Sequence, residues 1–281
     1  MRISSYLRLM RLNQPTGIWL LLWPCWWAIA LASRGLPPPS LLLLFGIGAV
    51  LMRSAGCIVN DIADRKFDAR VARTKYRPLA SGEVSVAQAS MLLVILLAAA
   101  FGITLLLGKA VLSWAVPSLP LVITYPFMKR LTWWPQLFLG LTFNWGALVG
   151  WAAVRGMVGW PAVFLYIGGI FWTLGYDTIY AHQDKSDDVV IGVKSLALRL
   201  GNNRCAIGLF YFLTVLGWVL AGWTAGSSLL FFALLVLVQL QFVWQTCTVD
   251  LDDPTSCRRI FMSNVRLGLL MFVGCLLSSG L

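Results

Sequence analysis

Nine apolar segments of membrane-spanning length dominate the sequence and restrict what the chain can fold into. A helix needs roughly 20 apolar residues to cross the hydrocarbon core of a bilayer, where only helices or closed barrels satisfy every backbone polar group. Of the 281 residues, 59% are hydrophobic and 12% are charged. We therefore expect an all-α integral membrane protein, in a single domain covering residues 1–281. The segments are residues 16–33, 39–59, 86–107, 110–126, 135–154, 160–180, 205–222, 227–248 and 260–280.

The basic residues lie mainly on one side of this arrangement. The N-terminus and the loops after segments 2, 4, 6 and 8 hold 17 of the 22 Lys and Arg. By the positive-inside rule these parts are cytoplasmic, and an odd number of helices places the C-terminus on the other side. The net charge of +11 thus reflects topology and not nucleic-acid binding. We expect a multi-pass protein of a bacterial inner (plasma) membrane, with a cytoplasmic N-terminus and a periplasmic C-terminus.

Two acidic clusters stand at the ends of apolar segments. Asp61, Asp64 and Asp68 follow the second segment, and a similar run at residues 177–188 ends the sixth. Carboxylates beside hydrocarbon are costly, so such clusters are functional-site candidates. If the second helix continues past its apolar part, the spacing i, i+3, i+7 places the first three acids along one helix face. Both clusters lie on the predicted cytoplasmic side, as a shared site requires.

The chemistry that fits these clusters is magnesium-assisted binding of a diphosphate. Two opposed acidic faces repel each other unless cations lie between them, and magnesium prefers hard oxygen ligands that leave room for phosphate. Arginine holds phosphate oxygens in bidentate fashion and is the better anion clamp. For any single basic residue, a topological role or contact with lipid headgroups is the alternative. The nearby basic residues are Arg65, Lys66, Arg70, Arg73, Lys75, Arg77, Lys129, Arg130, Lys194 and Arg199.

Other kinds of site fit the sequence less well. An EF-hand loop starting at Asp61 would need a Gly and a Glu where the sequence has Lys66 and Ala72. The single histidine, His182, excludes a multi-histidine metal site. The Asp-Gly-x-x-Ala-Arg motif type of CDP-alcohol phosphotransferases does not occur. A cation-coupled transporter stays open as an alternative, although its carboxylates usually lie near the bilayer midplane.

The acidic motifs resemble those of a known family. Asn60-Asp61-x-x-Asp64-x-x-x-Asp68 and Asp184-x-x-x-Asp188 are similar to the paired signatures of the UbiA superfamily of intramembrane aromatic prenyltransferases. The resemblance runs from Pro15-x-Gly17 to Asn264-x-x-x-Gly268. The stretches that resemble its 4-hydroxybenzoate polyprenyltransferase branch are Arg73-Thr74-x-x-Arg77-Pro78-Leu79-x-Ser81-Gly82, Tyr125-Pro126-Phe127-Met128-Lys129-Arg130-x-Thr132-x-x-Pro135-Gln136, Tyr176-Asp177-Thr178-x-Tyr180-Ala181 and Gly192-x-Lys194-Ser195.

The resemblance implies a fold and a reaction. The fold is a nine-helix bundle of two four-helix repeats plus one helix, with a cap of cytoplasmic loops. The reaction is the Mg²⁺-dependent transfer of a prenyl chain from polyprenyl diphosphate to the ring carbon ortho to the hydroxyl of 4-hydroxybenzoate, in ubiquinone biosynthesis. The implied partners are these two substrates and the lipid bilayer. Within the superfamily, the acceptor could instead be a naphthoate, homogentisate, haem or a chlorophyllide.

The resemblance also implies roles for individual residues. Asp64, Asp68, Asp184 and Asp188 are the catalytic acids. The expected magnesium ligands are these four acids and Asn60, with Asp61 as a further candidate. The expected diphosphate contacts are Arg65, Arg73, Arg77, Lys129 and Lys194. The expected acceptor contacts are Arg130, Tyr125, Tyr180 and Asp177. We place Arg130 on the acceptor carboxylate, with Lys129 as the second choice, because the end of the fourth segment faces the same side and lies between the two metal motifs in sequence.

Overall fold

The structure is a computed structural model that describes residues 3–70 and 74–279. Within those residues it has nine helices long and apolar enough to cross a membrane, which confirms the predicted all-α membrane fold. We number them in chain order: α1 Thr16–Ser33, α2 Pro39–Asp68, α3 Val86–Leu106, α4 Lys109–Leu131, α5 Pro135–Arg155, α6 Trp160–Ile191, α7 Arg204–Ala225, α8 Leu229–Thr248 and α9 Pro254–Ser279.

Several of these helices contain breaks or are joined by short helical turns. A short helix, Ile3–Leu9, precedes α1, and another, Leu196–Leu200, lies between α6 and α7. Tight 3₁₀ turns interrupt α4 at Val116–Ser118 and Tyr125–Phe127. A third 3₁₀ turn, His182–Asp184, divides α6 into Trp160–Ala181 and Lys185–Ile191. Such turns change the direction in which the following side chains point.

Two helices, α2 and α9, extend further into the polar layer than their apolar segments suggested. The second segment was expected to end at residue 59, but α2 remains helical to Asp68, because the acids in its last turns have cationic partners. The ninth segment was expected to begin at residue 260, but α9 begins at Pro254. Asp253 caps it by accepting hydrogen bonds from the amides of Thr255 and Ser256, at 2.9 and 3.1 Å.

The helices α1 and α6 form the centre of the bundle. Two thirds of the most apolar part of each is buried, against only 11% for α4, which faces lipid. Trp27 of α1 contacts Trp172 of α6 and Trp218 of α7, with ring centroids 5.0 and 4.9 Å apart. The indole of Trp27 also donates to the carbonyl of Gly268 in α9, at 2.8 Å. These contacts fix the helices whose polar ends carry the acidic motifs.

Candidate active site

A cavity of about 760 Å³ lies at the polar end of the bundle, on the side that carries most of the basic residues. Its walls come from the start of α1, the ends of α2, α4 and α6, the start of α5 and the first turns of α9. Both acidic clusters face it, as the shared-site hypothesis expected. The polar residues that they contribute are Asn60, Asp64, Asp68, Asp177, Asp184, Asp187 and Asp188.

On the first motif, the helical repeat of α2 decides which side chains reach the cavity. Asn60, Asp64 and Asp68 are four residues apart, and residues at this spacing share one helix face. The carboxylate of Asp64 is 1% exposed and is bound by the ammonium group of Lys129 and, at 3.2 Å, by the guanidinium of Arg130. The carboxylate of Asp68 accepts from Arg77 at 2.7 Å. Asp64 and Asp68, which both line the cavity, therefore each have a cation beside them.

Asp61 has a different environment from its neighbours. It is buried, does not line the cavity, and pairs with Arg11 at 2.7 Å and with Arg77 at 3.3 Å. Burial by itself would lower the pKa of Arg11, but the Asp61 carboxylate, with smaller contributions from Cys57 and Tyr180, raises that pKa overall, so the guanidinium stays charged. Asp61 therefore ties the segment before α1 to α2, and the same segment contributes Arg11 to the cavity wall.

The second motif is joined to the first through the end of α4. After the 3₁₀ turn at His182–Asp184, the helix Lys185–Ile191 ends at Gly192, whose φ of +76° favours glycine. The chain then runs along α4, where the amide of Lys194 donates to the carbonyl of Lys129 at 2.7 Å. The ammonium group of Lys194 donates to the carbonyl of Leu131 at 3.2 Å. Lys129 therefore contacts the first motif through its side chain and the segment just after the second motif through its backbone.

The structure brings most of the other predicted site residues to the cavity, but not all of them. Arg65 is exposed outside the cavity and donates to the carbonyl of Leu79 at 3.3 Å. Arg130 also lies outside the cavity lining, over the rings of Phe67 and Phe127 at 4.9 and 5.7 Å. Arg73 falls outside the described residues. The predicted residues that do line the cavity include Arg77, Lys129, Lys194, Tyr125, Tyr180 and Asp177.

Arg53 is the most informative cavity residue that was not assigned a role from the sequence. It lies within α2, two turns before Asn60, and its guanidinium lies over the ring of Phe143 at 5.4 Å. Gly17 makes room for it, because a Cβ at Gly17 would lie 2.5 Å from its Nε. A cation inside an apolar segment is itself a functional-site signal. Other residues missed in the same way include Arg8, Arg11, Gln136, Tyr176, Asp187 and Arg258.

The oxygen ligands of the cavity suit magnesium in kind. Among the described residues, no three Asp, Glu, His or Cys side chains come together as a metal site of their own. Magnesium, however, usually takes only one or two carboxylates and fills its other positions with water and substrate phosphate. Acids on two walls of a cavity that also holds Arg77, Lys129 and Lys194 fit that arrangement. The donor set is therefore compatible with a magnesium ion shared with a diphosphate.

A family model and several known proteins match this chain. A family model described as the UbiA prenyltransferase family matches residues 21–275. A Dictyostelium discoideum protein named 4-hydroxybenzoate polyprenyltransferase, mitochondrial, is 46% identical over 95% of the chain, and the chain spans 59% of that relative's length. A Homo sapiens protein of the same name is 46% identical over 99% of the chain and 76% of its own length.

Two solved structures have the same fold. The apo structure of a UbiA homolog from Aeropyrum pernix K1 has a TM-score of 0.77 and 25% identity, covering 91% of this chain and 96% of its own. The structure of a UbiA homolog from Archaeoglobus fulgidus bound to GPP and Mg²⁺ has a TM-score of 0.71 and 18% identity, covering 96% and 100%. The second likeness shows the fold alone.

The expectation of a bacterial inner membrane is wrong. The relatives with 46% identity are named as mitochondrial proteins, which points to a mitochondrial membrane. The reason for the error is physical: an excess of Lys and Arg on one side reports orientation across a bilayer and says nothing about which bilayer it is. We call the side of the bundle that holds the N-terminus and the loops after α2, α4, α6 and α8 the basic face.

The contacts of Asp61 and Asp64 predict that the two acids have different functions. Asp61→Ala leaves Arg11 without its buried partner, although Arg77 keeps Asp68, and breaking such a pair costs about 3 kcal/mol. We expect a lower melting temperature in detergent micelles for Asp61→Ala, with the Mg²⁺ concentration for half-maximal activity unchanged. Asp64→Ala should instead raise that Mg²⁺ concentration. An increased Mg²⁺ requirement in Asp61→Ala would show that Asp61 is a metal ligand after all.

Proposed function

The chain belongs to the UbiA prenyltransferase family, and we propose that it transfers a polyprenyl group from polyprenyl diphosphate to 4-hydroxybenzoate. The new bond forms at the ring carbon ortho to the hydroxyl, and diphosphate is released. The observation that carries the proposal is that both acidic motifs line one cavity together with the cations Arg77, Lys129 and Lys194. The names of the relatives support the acceptor and imply a role in ubiquinone biosynthesis.

The diphosphate end of the donor fits the polar part of the cavity. Asn60, Asp64, Asp68, Asp184 and Asp188 would hold magnesium there. Bound magnesium would neutralise the negative charge that grows on the diphosphate as the allylic C–O bond breaks. The UbiA homolog from Archaeoglobus fulgidus has been solved both with GPP and Mg²⁺ and with DMAPP and Mg²⁺, which supports this part of the proposal.

Cationic side chains would hold the phosphate oxygens directly. Arg77, Lys129 and Lys194 all line the cavity. Arg77 already pairs with Asp68, and Lys129 already pairs with Asp64. The positive charge of each therefore lies between a motif acid and the interior of the cavity. From there they donate to the leaving diphosphate and stabilise the charge that it takes with the electron pair of the broken bond. Arg65 has no part in this, since it contacts Leu79 outside the cavity.

The acceptor fits the part of the cavity nearer the apolar core. There Arg53 supplies a cation for the carboxylate of 4-hydroxybenzoate, in place of Arg130, which lies outside the lining. Asp177, on α6, also lines the cavity. It accepts a hydrogen bond from the phenol hydroxyl. That hydrogen bond increases the electron density at the ortho carbon, which attacks the allylic carbon. Loss of the ring proton then restores aromaticity.

Exclusion of water is the remaining requirement of this reaction, because water would capture an allylic cation. Aromatic and aliphatic side chains surround the acceptor end of the cavity, among them Tyr125, Phe143, Leu139 and Leu20. Leu20 and Phe143 are also buried in the hydrophobic core. A reaction centre with such walls is kept dry, and the electrostatic interactions inside it are stronger for that reason.

We expect both motifs to be needed for turnover. Asp64→Asn and Asp184→Asn each remove a negative carboxylate charge that would help to bind the metal. Loss of one preorganised electrostatic contact commonly lowers kcat by about 10²- to 10³-fold. The measurement is transfer of a labelled prenyl group to 4-hydroxybenzoate in vesicles. Asp252→Asn is the matched control, because Asp252 is exposed on the basic face and contacts Asn202 away from the cavity. Near wild-type rates in either motif variant would contradict the two-motif site.

We expect Arg53, not Arg130, to determine acceptor binding. Arg53→Met should raise the KM for 4-hydroxybenzoate by about 10-fold or more, the usual effect of losing a hydrogen bond to a charged group, with the KM for prenyl diphosphate little changed. Gly17→Ala should act in the same direction, because the added Cβ displaces the guanidinium. If Arg130→Ala raised the acceptor KM while Arg53→Met did not, the acceptor carboxylate would belong to Arg130.

A further inference from the structure

Arg266 is a charged residue within a membrane-spanning helix that the proposed reaction does not use. It lies six residues, or about 9 Å, beyond Ile260, where the apolar part of α9 begins. Its side chain is exposed on the outer surface of the bundle. The neighbours at helical spacing on the same face, Met262, Leu269 and Val273, are exposed as well. Arg266 therefore belongs to a face of α9 that is turned to lipid.

Contacts among the described residues do not account for this charge. Within residues 3–70 and 74–279, no hydrogen bond, ion pair or aromatic ring contact is made by Arg266, and the same is true of Arg259, seven residues earlier. A guanidinium facing hydrocarbon is costly unless it finds a counter-ion or reaches the headgroup layer. Side chains on a helix lean toward its N-terminus, and the N-terminus of α9 lies at the basic face. Arg266 thus points toward lipid headgroups of the basic face.

The same face of α9 adjoins the cavity. Arg258 and Met262 both line the cavity and are both exposed. Met262 lies between Arg259 and Arg266 at helical spacing, so the cavity wall adjoins the face of α9 that carries these two arginines. Arg266 lies one helical turn beyond Met262, further into the hydrocarbon, and Arg259 lies just under one turn before Met262, nearer the headgroup layer.

We propose that Arg266 and Arg259 form a docking site for the diphosphate group of the prenyl donor on the lipid face of α9. Their Cα atoms are about 10.5 Å apart along one face of the helix, and both side chains are long and flexible, so both guanidinium groups can contact one diphosphate. A prenyl diphosphate dissolved in the bilayer keeps its tail in hydrocarbon and its head at this depth. From this site the head passes Met262 and Arg258 into the cavity. This inference rests on the proposed function.

The test compares a donor that approaches through the bilayer with one that approaches through water. The protein is reconstituted in phosphatidylcholine vesicles and assayed with a long-chain polyprenyl diphosphate and with geranyl diphosphate. Arg266→Gln should raise the KM for the long-chain donor about tenfold and that for geranyl diphosphate less than about twofold, with kcat unchanged for both. Arg266→Lys should recover most of the loss, because it keeps the charge.

The matched control is Arg155→Gln, which removes an exposed arginine at the opposite end of the bundle and should change neither KM. An equal rise in KM for both donors, or no rise at all, would overturn the docking site. So would an effect of Arg266→Gln that occurs only when phosphatidylglycerol is added to the vesicles, since bulk phospholipid would then be the occupant. If the wild-type protein formed no product with either donor, the proposed function itself would fail.

Discussion

Lys129 holds the two halves of the polar cavity together, and the arrangement of the site depends on it. Its ammonium group binds the buried carboxylate of Asp64. Its backbone carbonyl accepts a hydrogen bond from the amide of Lys194, just after the second motif. Leaving a buried carboxylate without a partner is expensive, so α4 is held against α2. The loop after α6 is in turn held against α4. The two acidic motifs, about 120 residues apart in sequence, face one volume because of this chain of contacts.

The sequence was sufficient to predict the nine spans and both acidic motifs, because these rest on local patterns. Segment length and hydropathy predict a spanning helix without reference to its neighbours. The different environments of Asp61 and Asp64 could not be predicted in that way. Both follow the same apolar segment, and only the rotation of α2 against its neighbours turns Asp64 toward the cavity and Asp61 toward Arg11.

The cations illustrate the same limit. Arg130 stands in the motif that resembles the family, yet it lies over Phe67 outside the cavity, while Arg53 lines it. Arg53 and Arg266 are both charges within apolar segments, and the sequence gives no sign that one faces inward and the other faces lipid. That difference depends on which faces of α2 and α9 the rest of the bundle covers. Gly17, which leaves room for Arg53, is a signal that can be interpreted only after the helices are placed.

The proposed reaction requires one cavity to hold a diphosphate, with its magnesium, beside an aromatic acceptor. The most direct measurement is transfer of a labelled geranyl group from geranyl diphosphate to 4-hydroxybenzoate by the purified protein, with and without Mg²⁺. We expect a product with the prenyl group on the carbon ortho to the hydroxyl, formed with Mg²⁺ and lost when EDTA is added, as this proposal requires. Product formation unaffected by EDTA, or no product from folded protein supplied with Mg²⁺, would contradict it.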